Sequence, residues 1–117
     1  MYFICIFVET LKQNDMKLTD NQVKYIAKHF NMELNISILD ENLVYFTKYE
    51  EDVNTDLGTF TLRCDVELHF TEDGDAYKHY IELIELWEED EVELPIEQIK
   101  DIEEILTVQL YQNNKLN

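Results

Sequence analysis

Residues 60–70 alternate strictly between apolar and polar side chains, and this pattern limits the possible folds more than any other segment. Six apolar side chains fall on one side of an extended backbone, and five polar or charged ones fall on the other. Because successive side chains of a strand point to opposite faces of a sheet, the pattern predicts a half-buried antiparallel strand. The apolar residues are Phe60, Leu62, Cys64, Val66, Leu68 and Phe70.

A hairpin signal, Asp73-Gly74, follows this strand and predicts that residues 76–87 fold back against it. A turn centred there matches apolar residues on one face: Cys64 with Leu83, Val66 with Ile81, Phe70 with Tyr77 and Phe60 with Trp87. The other face opposes Asp65 to Glu82, Glu67 to Tyr80 and Arg63 to Ile84. Like charges in opposed positions destabilise a sheet, so Asp65 and Glu82 are candidates for a functional role.

The rest of the chain adds helices and further strands. Residues 2–8 fit a strand or a short core helix, and their β-branched and aromatic content favours the strand. Thr19 and Gln22 form a capping box before a short helix. Residues 34–38 and 43–49 are predicted strands, and residues 50–58 a polar connection. Pro95 begins a C-terminal helix with the apolar stripe Ile96, Ile99, Ile102, Leu106 and Leu110.

We therefore expect residues 1–117 to form one acidic α+β domain with the order β-α-β-β-β-β-α. The sheet is expected to be mostly antiparallel with four to five strands, accompanied by a helix in the N-terminal half and a C-terminal helix. The aromatic and β-branched content excludes a disordered acidic chain. The apolar run at residues 1–8 is too short to span a membrane and lacks the basic start of a signal peptide, which favours a cytoplasmic protein.

Negative charge is concentrated in one part of the chain. Residues 49–104 contain 20 acids and 3 bases, and the whole chain has a net charge of −17. Such a surface repels nucleic acid and anionic membrane and attracts basic partners. Small soluble domains need a net charge of only about 2–8 in magnitude. Because self-repulsion destabilises the folded state, a function that uses the charge is favoured.

The residues that could perform catalysis or bind metals do not form a convincing site in the sequence. Asp52, Asn54 and Asp56 resemble the start of a calcium loop, but Leu57 and Arg63 stand where such a loop needs Gly and Glu. His69 and His79 are predicted on opposite faces of the hairpin. Cys5 and Cys64 lie in apolar runs and indicate free buried thiols. We therefore predict no enzyme activity, no cofactor and no metal site.

The acidic surface itself is the predicted binding site, and a nucleic-acid mimic is the preferred interpretation. A globule of this length is about 35 Å across, and duplex DNA of that length carries about 20 charges. The residues expected to bind the partner are Asp65, Glu67, Glu82, Glu85, Glu88, Glu89, Asp90 and Glu91. Their expected partners are Lys and Arg side chains that normally hold phosphates.

The partner would be a basic nucleic-acid-binding protein such as a CRISPR or restriction nuclease. Ile, Asn, Lys and Tyr total 35 residues, whereas Gly, Ala, Arg and Pro total 6, which indicates an AT-rich gene and favours a phage or mobile-element source. One alternative is an immunity protein that neutralises a cationic toxin nuclease. Another is a small metal-dependent enzyme using Asp65, Glu67 and His69. Tyr80, Ile84 and Leu86 are expected to be exposed on the polar face of the hairpin. Either a helix covers them or they contact a second copy in a homodimer.

Overall fold

Two helices and one three-stranded sheet make up the fold. The computed structural model describes residues 17–36 and 43–116. The elements are helix α1 (Asp20–Ala27), strands β1 (Val44–Thr55), β2 (Gly58–Phe70) and β3 (Ala76–Trp87), and helix α2 (Ile96–Asn113). The sheet is antiparallel in the order β1-β2-β3. The α+β class is confirmed, with three strands in the described part of the chain.

Two predicted strands are not among these three. Residues 2–8 lie outside the described part of the chain. Residues 34–36, the start of the predicted strand 34–38, lie outside the sheet, and residues 37 and 38 fall outside the described ranges. The element order over the described residues is therefore α-β-β-β-α.

Strand β1 is longer than predicted. It was expected to end at Tyr49 before a polar connection, but it pairs with β2 through Thr55. Cross-strand hydrogen bonds support the polar half, since Thr61 Oγ1 donates to Asp52 Oδ1 at 2.6 Å and Thr59 Oγ1 donates to Asn54 Oδ1 at 2.7 Å. Ladder pairing with a well-formed neighbour thus overrides the weak strand propensity of residues 50–55.

The β2–β3 hairpin has the predicted register along its middle. Asp65 pairs with Glu82, Val66 with Ile81 and Glu67 with Tyr80. At the turn end the register shifts, because Phe70 pairs with Ala76 and leaves Tyr77 as an extra residue on β3. Tyr77 is consequently exposed instead of facing Phe70.

A second irregularity, at Leu83, reverses the faces of the far half of β3. Glu82 is opposite Asp65 and Glu85 is opposite Arg63, so Leu83 and Ile84 share the position opposite Cys64. Leu83 has a φ of +54° and is 72% exposed. The predicted pairs of Leu83 with Cys64, Ile84 with Arg63 and Trp87 with Phe60 are therefore wrong, and Trp87 pairs with Thr61.

Both helices cover the same face of the sheet, here called the inner face. Val66 and Leu68 of β2, Ile26 of α1 and Leu106 of α2 are fully buried in one apolar cluster. Helix α1 begins with the predicted capping box, in which Thr19 Oγ1 accepts from Gln22 N at 3.1 Å and Gln22 Oε1 accepts from Thr19 N at 2.9 Å. In α2 the predicted stripe is buried from Ile102 onward.

Side-chain amides on α2 fix the position of the chain around α1. Gln98 Nε2 donates to Leu18 O at 2.8 Å and Gln109 Nε2 to Ala27 O at 3.1 Å. Asn114, the C-cap of α2, donates to Met32 O at 2.8 Å and accepts from Leu34 N at 2.8 Å. These bonds join α2 and its C-cap to backbone groups of the segments around α1.

Candidate interaction surface

The face of the sheet opposite the helices, here called the outer face, is covered by neither α1 nor α2. Every second residue of β1 and β2 points to this face, together with most residues of β3 that point away from the helices. Phe46 on this face is 53% exposed, and no described segment lies across it. An exposed aromatic side chain on such a face is a candidate contact for a partner.

The structure places the eight predicted binding residues in two adjoining regions. Asp65, Glu67, Glu82 and Glu85 occupy positions on β2 and β3, and Glu88, Glu89, Asp90 and Glu91 form the segment directly after β3, here called the acidic turn. Asp65 is directly opposite Glu82, as expected. The two regions adjoin along the chain, because the acidic turn begins directly after Trp87, the last residue of β3.

The carboxylates on the sheet are partly engaged by neighbouring side chains. Lys48 Nζ lies 3.6 Å from Asp65 Oδ1, and the Asp65 side chain is only 21% exposed. His69 Nε2 lies 2.6 Å from Glu67 Oε2. Lys48 therefore offsets the opposed charges of Asp65 and Glu82, which removes the need for a functional explanation of that pair.

Arg63 forms a second mixed cluster on the outer face. Its Nε donates to Glu50 Oε1 at 3.1 Å, and its guanidinium lies 4.9 Å from the centre of the Trp87 ring. Trp87 Nε1 in turn donates to Glu85 Oε1 at 3.1 Å. The bulge at Leu83 makes this possible, because it replaces the predicted Ile84 with Glu85 opposite Arg63.

The acidic turn is a structured, hydrogen-bonded reversal of the chain. Glu88 N donates to Asp90 O at 3.0 Å, and Val92 N donates to Leu86 O at 2.7 Å. Val92 is buried in the core cluster. The exposed side chains of Glu89, Asp90 and Glu91 are thus held on a short, hydrogen-bonded loop.

A shallow groove of about 360 Å³ lies beside the acidic turn. Ile84, Val92, Leu94 and Ile99 line it, with Glu91 and Glu93 at its rim. The sequence did not reveal this groove, because Ile84 was expected on the outer face. Ile84 instead packs against the core, and Leu86 is buried, so the apolar patch invoked for a homodimer does not form.

The candidate metal-binding residues are used in other ways. Asp52 and Asn54 lie on β1, and Asp56 Oδ2 accepts from Tyr25 Oη at 3.3 Å. His79 Nδ1 lies 3.0 Å from Tyr111 Oη, on the inner side and away from His69. No group of three or more His, Cys, Asp or Glu side chains with metal-binding geometry occurs among the described residues.

Comparisons with known proteins assign no family to this chain. It matches no protein-family model, no curated protein and no solved structure. Among the described helices, none is long and apolar enough to cross a membrane.

Proposed function

We propose that this protein is an acidic inhibitor that binds the nucleic-acid-binding cleft of a basic protein, such as a CRISPR or restriction nuclease. The observation that carries the proposal is the arrangement of the acids: they project from paired strands and a hydrogen-bonded turn. Glu82 and Glu85 lie along β3, and residues 88–91 follow the end of that strand directly. Carboxylates fixed in this way compete with phosphates for the Lys and Arg side chains of such a cleft.

The distribution of accessible charge supports the acidic turn as the centre of the contact. Of the predicted residues, Glu82, Glu89, Asp90 and Glu91 are exposed. Asp65, Glu67 and Glu85 each contact a base or an N–H group of this chain. The free carboxylates cost less to bring into a complex, because no internal bond has to be broken.

The apolar and aromatic groups near the acids favour a second candidate, an immunity protein with one cationic toxin nuclease as its partner. Phe46 and Leu83 are exposed on or beside the outer face, and the groove next to Glu91 exposes part of Ile84 and Leu94. Aromatic anchors in pockets are typical of tight interfaces with a single partner. A gene for such a toxin next to this one would favour this candidate.

Salt dependence and competition test the proposal. Basic proteins retained from a low-GC bacterial lysate are purified singly, and their affinity for this protein is measured from 0.05 to 1 M NaCl. We expect the affinity to fall steeply with salt, and duplex DNA or guide RNA to compete for the same partner. Binding that is unchanged in 1 M salt and unaffected by nucleic acid contradicts mimicry.

Charge reversal locates the contact. The triple change Glu88→Lys, Glu89→Lys and Asp90→Lys should weaken binding by roughly tenfold or more, since it places cations against the basic cleft. The matched control is Glu72→Lys, Asp73→Lys and Glu104→Lys, which changes the net charge equally at exposed positions elsewhere. Circular dichroism shows whether both variants are folded. Equal weakening by both triples would show that only net charge matters.

A further inference from the structure

The outer face already contains one arginine-binding arrangement, filled by its own Arg63. The guanidinium lies over the Trp87 ring at 4.9 Å and bonds to Glu50 through Nε at 3.1 Å. An aromatic ring and a carboxylate on neighbouring strands thus hold a planar cation on this sheet. Arg63 is the only arginine in the chain.

A second row of paired residues, one from each strand, lies across the same face. It also combines aromatic rings with a carboxylate but has no arginine. Phe46 on β1 pairs with Glu67 on β2, and Glu67 pairs with Tyr80 on β3. One carboxylate is therefore flanked by two aromatic rings, and all three side chains reach solvent. The outer strands of a three-stranded sheet are about 10 Å apart. The His69 ring lies 5.9 Å from the Tyr80 ring and its Nε2 bonds to Glu67 Oε2, which leaves Glu67 Oε1 for a further donor.

Two lysine side chains of the same chain lie near the rings of this row. Lys48 Nζ lies 6.0 Å from the centre of the Phe46 ring, and Lys78 Nζ lies 5.3 Å from that of Tyr80. Both lysines approach from their own strands. The structure shows one hydrogen bond to the Glu67 carboxylate, from His69 to Oε2.

We propose that Phe46, Glu67 and Tyr80 form a site for one arginine side chain of the basic partner, which rests on the proposed function. Its guanidinium would lie between the two rings and donate to Glu67. Arginine suits this site better than lysine, because its planar group stacks on rings and donates along an edge at the same time. The exposed carboxylate of Glu82, in the next row, adds attraction for the same cation.

Hexa-arginine and hexa-lysine peptides test the site, because they carry equal charge and differ only in the head group. Affinities are measured by calorimetry at one ionic strength, and the aromatic signals of Phe46 and Tyr80 are followed by NMR. We expect hexa-arginine to bind roughly fivefold or more tightly than hexa-lysine, with shifts at both rings.

Variants of the row should remove the preference for arginine while binding through the other acids persists. Phe46→Leu with Tyr80→Leu should bring the two affinities close together, whereas Tyr80→Phe should retain the preference because the ring remains. Tyr77→Leu is the matched control, since Tyr77 is exposed on the same strand but outside the row. Glu67→Gln should reduce the preference, and Glu72→Gln, an equal charge change in the β2–β3 turn, should not.

The outcomes separate this inference from the proposed function. The arginine site is overturned if the unmodified protein binds both peptides with equal affinity, or if the preference for arginine survives the loss of both rings. Neither result contradicts the proposed binding of basic partners by the acidic surface. If neither peptide binds, the arginine site and the attraction of the surface for basic partners both fail. A preference lost with the rings and kept in Tyr80→Phe supports the site.

Discussion

At the scale of single residues, Leu83 determines how β3 presents its side chains. Its φ of +54° lies in the left-handed region, where a side chain with a Cβ costs roughly 1–2 kcal/mol. The bulge it forms turns Leu86 into the core and Glu85 toward Arg63. A strained, exposed leucine at this position thus allows both the packing of the core and the Arg63 cluster.

Replacing Leu83 by glycine should stabilise the protein relative to Leu83→Ala. Both changes remove an exposed side chain, but only glycine relieves the left-handed backbone, so we expect a free energy of unfolding higher by about 0.5–1 kcal/mol. Urea unfolding of the two variants measures the difference. Equal stability would show that residue 83 does not have a positive φ in solution.

The thiol of Cys64 should make the stability of the protein depend on pH in the alkaline range. Burial, with a smaller contribution from the charge of Asp65, raises the pKa of Cys64 from 9.0 to about 12. The native state therefore keeps a proton that the unfolded chain loses. This stabilisation is complete below pH 9 and is lost as pH rises toward 12.

The comparison of the unmodified protein with Cys64→Val isolates this effect. Between pH 8 and pH 10.5 the unmodified protein should lose on the order of 2 kcal/mol more free energy of unfolding than the variant does. The other titrating groups are common to both proteins and cancel. Parallel pH profiles would contradict a buried, protonated thiol.

At the scale of elements, α2 organises the chain on the inner face through its amides as well as its apolar stripe. Asn114 Nδ2 donates to Met32 O and Leu110 O, both at 2.8 Å, and its Oδ1 accepts from Leu34 N. Asn114→Ala should lower the free energy of unfolding by about 1–3 kcal/mol, because partly buried backbone groups lose their partners. Gln112→Ala, exposed on the same helix, is the control and should have little effect.

The elements also show which parts of the fold could be predicted. The strand at Phe60 and the capping box at Thr19 are strong local patterns, and both are confirmed. The bulge at Leu83 gave no signal, since glycine or asparagine is the usual residue at such a position. The polar half of β1 was missed because its stability comes from pairing with β2, which no local pattern shows.

The candidate site was predictable to a similar extent. The relative placement of Asp65, Glu67 and Glu82 follows from the hairpin register. The contact of Lys48 with Asp65 and the row from Phe46 to Tyr80 depend on the β1–β2 register. The pairing of β1 with β2 was not predicted, because the turn at Gly58 was interpreted as part of a longer polar connection.

At the scale of the whole molecule, the charge is spread more thinly than the sequence indicated. The Cα atoms extend over 67 Å along the longest axis and 23 Å along each of the others. The described residues contain 22 acids and 8 bases, and their net charge of −14 over that length is about one charge per 5 Å. This spacing is closer to the value of about 3.4 Å for one nucleic-acid strand than to the value of about 1.7 Å for a duplex. Single-stranded nucleic acid and guide RNA are therefore informative competitors.

Self-repulsion among these charges should make the protein more stable as salt increases. Raising NaCl from 0.02 to 0.5 M screens repulsion beyond a few ångströms, and we expect a gain on the order of 1 kcal/mol, or about 4 °C in Tm. Glu89→Gln with Asp90→Asn and Glu104→Gln removes three exposed charges. This variant should have a higher Tm at low salt and a smaller rise with NaCl, both measured by thermal unfolding. A Tm that falls with salt would show that the ion pairs of Asp65 with Lys48 and Glu50 with Arg63 outweigh the repulsion.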